Sequence, residues 1–168
     1  MPKTTETTVP ISRVTVSTQK PFDDVVAAVY AGLGRVTDFG GVVARWNAAR
    51  DADELEAAVA AASGSSGLIE FLSLDLGAPL TIRDPARALR LLRIIAGNPV
   101  TMSSMAATVP DVGSYAPVTI LLAERPEGTT LSYDRVATAI APYASEEASA
   151  VAASLDEAVV GLLEDAAG

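Results

Sequence analysis

Glu70 and Asp75, in the stretch LIEFLSLDL (68–76), are the carboxylates of this chain whose setting suggests chemistry. Strict period-two alternation puts Glu70 on one face with Leu68, Leu72, Leu74 and Leu76, and Asp75 on the other with Ser73. A carboxylate on an apolar face is driven towards its neutral form unless a cation meets it, which marks Glu70 as a candidate acid or ligand anchor. The plainer reading is an edge strand exposing Glu70 to Arg45 or Arg13. Arg83, Arg87 and Arg90 fall at helical spacing, with Arg93 beside them, and such a stripe could grip an anion by bidentate contacts. Its plainer reading is pairing with acidic helices at 51–56 or 156–165. Met102 and Met105, three apart and followed by Tyr115, suit the mouth of an apolar pocket or a dimer contact, and equally suit core filling. Trp46 and Tyr133 fit strand packing or a pocket wall.

The chain holds no cysteine and no histidine. Thiolate nucleophiles, Ser-His-Asp triads, Cys/His zinc sites and His-ligated haem each lose an indispensable part, so neither metal nor cofactor is expected. Lys3 and Lys20 are the only lysines, which leaves little for serine-lysine catalysis. Carboxylate, arginine or tyrosine chemistry remains, or none. Twelve basic against twenty-one acidic residues give a formal charge of −9, which repels nucleic acid and anionic lipid at long range. No nucleic-acid partner and no membrane partner are expected.

The elements that must position these residues follow from periodicity. ISRVTVST (11–18) reads as a strand, and Phe22, Val25, Val26, Val29 and Leu33 recur at helical spacing behind Pro21. GGVVARW (40–46) reads as a second strand, and Asp51, Asp53, Glu54 and Glu56 open an alanine-rich helix running to SGSSG (63–67). LIEFLSLDL is a third strand, and PVTILLAE and TTLSYDR form a hairpin around Pro126-Glu127-Gly128. Ser145 caps a C-terminal helix whose apolar face is Ala148, Val151, Ala152, Leu155, Val159 and Leu162. In DPARALRLLRIIAGNP, Asp84 and Pro85 start a helix and Gly97-Asn98-Pro99 stops it. A phosphate cradle needs its glycines before a helix, so GNP reads as a stop signal. Thr37 occupies the third glycine position of GLGRVTDFG, which removes a dinucleotide reading. Residues 98–117 read as an ordered, adjustable cover over one end of the sheet.

These elements assemble into an α+β fold, a mainly antiparallel sheet of about five strands with packed helices. Residues 1–10, MPKTTETTVP, read as a flexible leader without an apolar signal core, and 11–168 as one domain of a cytoplasmic protein.

The segments TVSTQKPFDDVVAAVYAGL, IIAGNPVTMSSM, APVTILLAERPEGTTLSYDR and AVAASLDEAVVGLL together resemble domain-of-unknown-function family 302 over roughly residues 11–165. That resemblance implies a β-α-β(4)-α fold of the TATA-box-binding-protein-like or helix-grip-like kind, and no established activity. The chain departs from the family pattern in an extra inserted helix at 51–62 and in Arg135-Val136 where a proline commonly follows the SY pair. The reading that follows is a non-catalytic domain holding a small apolar ligand between sheet and helix, at Trp46, Glu70, Met102, Met105, Tyr115 and Tyr133. Its alternatives are an enzyme using Glu70 or Asp75 as general acid/base, and a structural or self-associating module acting as a homodimer.

Overall fold

The alternation in RVTVST builds β1 (Arg13–Thr18), with every second residue turned inward. A computed structural model describes residues 1–168, the side chain of Arg87 excepted. Helix α1 (Phe22–Gly32) follows, with Asp23 and Asp24 at its positive end and Phe22, Val25 and Val29 buried. Then come α2 (Phe39–Ala48), α3 (Ala52–Ala60), β2 (Ile69–Asp75), α4 (Gly77–Arg83), β3 (Leu91–Gly97), α5 (Pro99–Ala106), β4 (Val118–Arg125), β5 (Gly128–Asp134), α6 (Val136–Ile140) and α7 (Glu146–Ala167). The five strands form one antiparallel sheet in the order β1-β5-β4-β3-β2. The frame is thus β-α-β(4)-α, with α2 and α3 inserted before β2 and short helices inserted between later elements.

One face of the sheet carries Ile94, Ala96, Val118, Ile120, Leu122, Leu131 and Tyr133, all buried against Val25 and Val29 of α1 and Ala152, Leu155, Val159 and Leu163 of α7. Each such aliphatic side chain, fully buried, contributes roughly 1.5–3 kcal/mol. The other face carries Thr15, Ser17, Thr119, Leu121, Ser132, Arg93, Leu72 and Leu74 and remains exposed or half-exposed, as an antiparallel sheet permits. Its corner at Ile69 and Phe71 is covered by Val42 and Trp46 of α2 and Val59 of α3.

Two elements exchange identity relative to their sequence patterns. Residues 40–46 are helical: Asp38 caps α2 by accepting from the Gly41 N–H at 2.9 Å, and Phe39, Val42 and Trp46 share one face at helical spacing. The valine pair that suggests a strand is overridden by that face. Residues 91–97 are extended: Ile94 and Ala96 face the helices while Arg93 lies exposed on the other side, because β3 is paired on both edges and reads apolar throughout. Asp84 and Pro85 start only a 3-10 turn (Pro85–Arg87).

Gly97-Asn98-Pro99 is consequently a start signal. Gly97 ends β3, the Asn98 carboxamide oxygen accepts from the N–H groups of Val100 and Thr101, and Pro99 takes the first position of α5, where its missing N–H costs nothing. The hairpin at Pro126-Glu127 closes as expected, and Gly128 adopts φ +132° there; a Cβ on it would lie 2.1 Å from the Thr18 carbonyl oxygen.

Asp156, on the buried face of α7, is 1% exposed. One carboxylate oxygen accepts from the Tyr133 hydroxyl at 2.6 Å and the Val136 N–H at 2.9 Å, and the other from the Ala137 N–H at 3.2 Å. A single side chain thereby joins α7 to β5 and supplies the acceptors that the first turn of α6 lacks. Asp156→Ala strands two buried donors and one half-buried one and is expected to cost about 3 kcal/mol or more. That loss corresponds to a melting temperature lower by roughly 6–12 °C. Urea unfolding measures it, and a loss below about 1 kcal/mol contradicts the role given to Asp156. Burial, reinforced by the bond to Asp156, pushes the Tyr133 phenol far above its usual range. Because the folded value is the raised one, stability tied to the protonated phenol is intact below about pH 10 and drains away as pH climbs past it. Ultraviolet titration of phenolate should show Tyr133 ionising only as the fold melts; ionisation of all four tyrosines in the intact protein would contradict this.

Candidate functional site

The junction of the inserted helices with the end of the sheet leaves a pocket of about 230 Å3. Trp46 comes from α2, Phe71 from β2, Gly97 from the last position of β3, Pro99 and Met102 from α5, Pro117 and Val118 from the entry to β4, and Leu155 from α7. Three rings build the α2–β2 wall: Phe39 and Trp46 meet edge-on at 5.8 Å and 85°, while Phe71 lies 5.1 Å from Phe39 and 6.1 Å from Trp46. A Cβ on Gly97 would stand 3.2 Å from Pro117 Cβ and 3.4 Å from the Phe71 ring, so the absent side chain helps keep the space open. Among the described residues no charged side chain lines this pocket, and Asn98 is engaged at both ends, its Nδ2 donating to the Gly67 carbonyl at 2.9 Å and its oxygen capping α5.

Of the residues singled out in sequence, Trp46 and Met102 meet here. Met105 is fully buried in the main core, one turn of α5 away. Tyr115 instead lines a groove of about 570 Å3 on the open face of the sheet, with Arg13, Arg93, Leu121 and Asp134, while Tyr133, turned to the helices and buried, only borders it. Arg13 and Asp134 are joined there by two hydrogen bonds, which hold the Asp134 carboxyl below the usual carboxylate range.

Glu70 lies apart from both. A bulge between Glu70 and Leu72 breaks the alternation, pairing Glu70 with Ala96 on the helix side and Leu72 with Ile95 on the open side. Glu70 therefore does not share a face with Leu72 and Leu74. Arg35 Nε donates to one carboxylate oxygen of Glu70 at 2.6 Å, Ser73 Oγ donates to the other at 2.5 Å, and the Tyr30 hydroxyl donates to Ser73 at 2.9 Å. The Arg35 guanidinium also stacks on the Tyr30 ring at 4.0 Å. The cation that meets Glu70 is thus neither Arg45 nor Arg13, and the cluster ties the edge strand to α1. Asp75 Oδ1 accepts from the N–H groups of Gly77 and Ala78 at 2.9 and 3.0 Å, opening α4. Both candidate acid/base groups are committed to holding the backbone or a neighbouring helix.

The arginine stripe dissolves with the helix that would have carried it. Arg83 ends α4 and Arg90 precedes β3, while the Arg87 side chain lies outside the described residues. Arg90 pairs with Asp23 of α1 through both guanidinium nitrogens and lies 4.5 Å over the Phe22 ring, so its partner is neither of the acidic helices anticipated. Arg93 donates to Thr119 at 3.1 Å.

Sequence reasoning did not single out as pocket residues Phe39, which packs behind the wall, or Phe71, Pro99, Pro117 and Leu155, which line it. The signal for the first two was the triplet of aromatic residues at 39, 46 and 71, legible only once 39–48 is read as a helix. Among the described residues no group of three or more His, Cys, Asp or Glu side chains could hold a metal ion, and no helix is long and apolar enough to cross a membrane.

Comparison with known proteins places this architecture. No curated protein matches the chain. Among solved structures it is similar to the uncharacterized conserved protein DUF302 from Bacillus stearothermophilus, at 8% identity, with a TM-score of 0.64, over 92% of this chain and 97% of that one. That likeness concerns the fold. A family model described as domain of unknown function DUF302 matches residues 44–165, from within α2 almost to the end of α7. With well over half its length inside that match, the chain belongs to the DUF302 family.

Proposed function

We propose that this domain binds a small apolar molecule in the pocket between α2, α5, α7 and the end of the sheet. The observation that carries the reading is about 230 Å3 of space walled by Trp46, Phe71, Pro99, Met102, Pro117 and Leu155. Protein interiors are packed with few voids larger than a water molecule, and an apolar void of about 150 Å3 already accepts benzene. The guest this space suits has one ring or two, below the roughly 300 Å3 typical of sites for larger ligands. Met102 supports the reading as a wall residue whose flexible thioether adapts to a guest. Of the other residues weighed as ligand contacts, Met105 is buried in the main core, and Tyr115, Tyr133 and Glu70 lie outside the pocket wall.

A ligand confined to the folded state raises the melting temperature, by an amount equivalent to about 2.7 kcal/mol at a hundredfold excess over its dissociation constant. A thermal-shift screen of one- and two-ring hydrocarbons is expected to give positive shifts with the native sequence. Met102→Glu, which sets a charge on the apolar wall, should abolish them while leaving the unliganded melting temperature within a few degrees, since Met102 is only partly buried. No shift with any hydrocarbon, or shifts unchanged by Met102→Glu, overturns this site.

A second reading, a homodimer joined through the open face, is supported by Leu72 and Leu74, which are 50% and 37% exposed on edge strand β2. Sedimentation equilibrium is expected to show a dimer that Leu72→Lys combined with Leu74→Lys converts to monomer; a native chain that stays monomeric at high concentration removes this reading.

A further inference from the structure

We propose that the groove on the open face of the sheet binds a small aromatic carboxylate through the Arg93 guanidinium. This second site is separate from the pocket at α2, α5 and α7 and does not depend on it. On β3, Arg93 lies opposite Leu121 of β4, and its guanidinium reaches along the groove to donate to the Thr119 hydroxyl at 3.1 Å. From the other side, Arg13 of β1 lies opposite Asp134 of β5 and donates to both of its carboxylate oxygens, at 2.6 and 2.8 Å. Thr119 and Asp134 are themselves neighbours, one step beyond the Ile120–Tyr133 pair and on the face turned away from the helices. Directly opposed Cβ atoms of antiparallel strands lie about 5 Å apart, so the two guanidinium groups converge on one spot of the sheet from opposite sides. Arg13 and Arg93 are both exposed and both line the groove, so a ligand reaches their N–H groups directly.

Charge selects the guest. Arg13 is balanced by Asp134, and Arg135, which also lines the groove, stands 4.0 Å from the buried Asp156 carboxylate. Arg93 has no carboxylate within ion-pairing distance among the described residues, so the groove carries one positive charge in excess. A monoanion cancels that excess, whereas a doubly charged phosphate ester overshoots it. The net charge of −9 repels anions, but at physiological salt charges more than about 8 Å away are largely screened, so the local excess decides. A guanidinium fork matches a carboxylate through two N–H groups, and Arg93 engages only one of its nitrogens with Thr119. An exposed ion pair alone is weak, so the guest needs a body as well as a charge. Leu76, Tyr115, Pro117 and Leu121 supply the apolar surface on which a flat ring system lies. A second copy of the chain is the poorer occupant of this groove, because the carboxylate exposed in it, Asp134, is already taken by Arg13.

The probes are 2-naphthoate and 2-naphthamide, which share a bicyclic frame and nearly the same shape and differ in charge. In nitrogen-15 correlation spectra the Arg93 Nε–H peak, assigned by its loss in Arg93→Gln, is expected to move as 2-naphthoate is added, together with the Thr119 and Leu121 amides. The native protein should bind 2-naphthoate about five- to tenfold more tightly than 2-naphthamide, and raising sodium chloride to about 0.5 M should erase most of that margin. Arg93→Gln should bring 2-naphthoate down to the affinity of 2-naphthamide. Met102→Glu, which sets a charge on the wall of the other pocket, should leave 2-naphthoate binding unchanged. A preference that survives in Arg93→Gln overturns the assignment, as do shifts that fall on Trp46 and Met102 and vanish in Met102→Glu. No binding of 2-naphthoate by the native protein overturns it too, whatever the hydrocarbon screen shows. Hydrocarbons that fail while 2-naphthoate binds through Arg93 remove the other pocket and leave this site standing. Should Arg93→Gln fail to fold, the salt dependence of the margin in the native protein decides.

Discussion

Inside the core, helix α7 is referred to the sheet through a buried carboxylate, while at its far end the Thr18 hydroxyl of β1 donates to the Ala167 carbonyl. Apolar packing presses α7 onto β1 and β5 but is non-directional, and a helix lying on a sheet by hydrophobic contact alone can slide or rotate with little loss. Asp156 removes that freedom. Its two oxygens are bound to a phenol on β5 and to consecutive N–H groups that open α6, so the axial position and rotation of α7 are set to within a hydrogen-bond length. Arg135 stands 4.0 Å from the same carboxylate and compensates part of its charge. Leu155 is the residue just before Asp156 in α7, so this part of the pocket wall is positioned by that bond.

The opposite end of the pocket is fixed by a different device. The inserted helices α2 and α3 cover only a corner of the sheet, and they hold to it through Val42, Val59, Ala62 and Ile69 and the three clustered rings. Gly34 makes this corner accessible: its N–H donates to the Leu68 carbonyl and its own carbonyl accepts from the Glu70 N–H, both at 2.8 Å, where a Cβ would lie 1.9 Å from the Ala62 carbonyl oxygen. Here backbone meets backbone with no room for a side chain, a close approach only glycine allows. The pocket lies between two independently anchored bodies, α7 on one side and the α2–α3 corner on the other.

How much of this was legible depends on which interaction decides each element. Where a local signal and the burial pattern agree, as in β1, α1, the β4–β5 hairpin and α7, periodicity and caps place the element correctly. Where they conflict, burial decides. LLRIIAG is apolar enough for either a buried helix or a central strand, and pairing on both edges makes it β3. GGVVARW carries β-branched residues in a helix because Phe39, Val42 and Trp46 bury on one side. The two exchanges cancel, so five strands are anticipated and five are present, yet the stripe of Arg83, Arg87 and Arg90 was an artefact of the exchange. Glu70 shows the finer limit: one bulge moves it to the other face of the sheet, and no composition rule announces a bulge.

The candidate site was half legible for the same reason. Trp46 and Met102 were named from residue type, since a lone tryptophan and a methionine after an irregular turn are the side chains best able to line an adaptable wall. Bringing them together required two facts outside local sequence, that residues 39–48 coil and that Asn98-Pro99 begins a helix rather than ending one. Both follow from caps the sequence does contain, Asp38 for α2 and Asn98 for α5, each accepting from N–H groups two or three residues on. Cap residues at a boundary therefore deserve more weight than the apolar period on either side of it. A cap satisfies particular N–H groups and so specifies direction, whereas an apolar run specifies only that something must be buried. Applied to Gly97-Asn98-Pro99, that weighting turns a terminator into the entry of α5 and sets Pro99 and Met102 opposite Trp46.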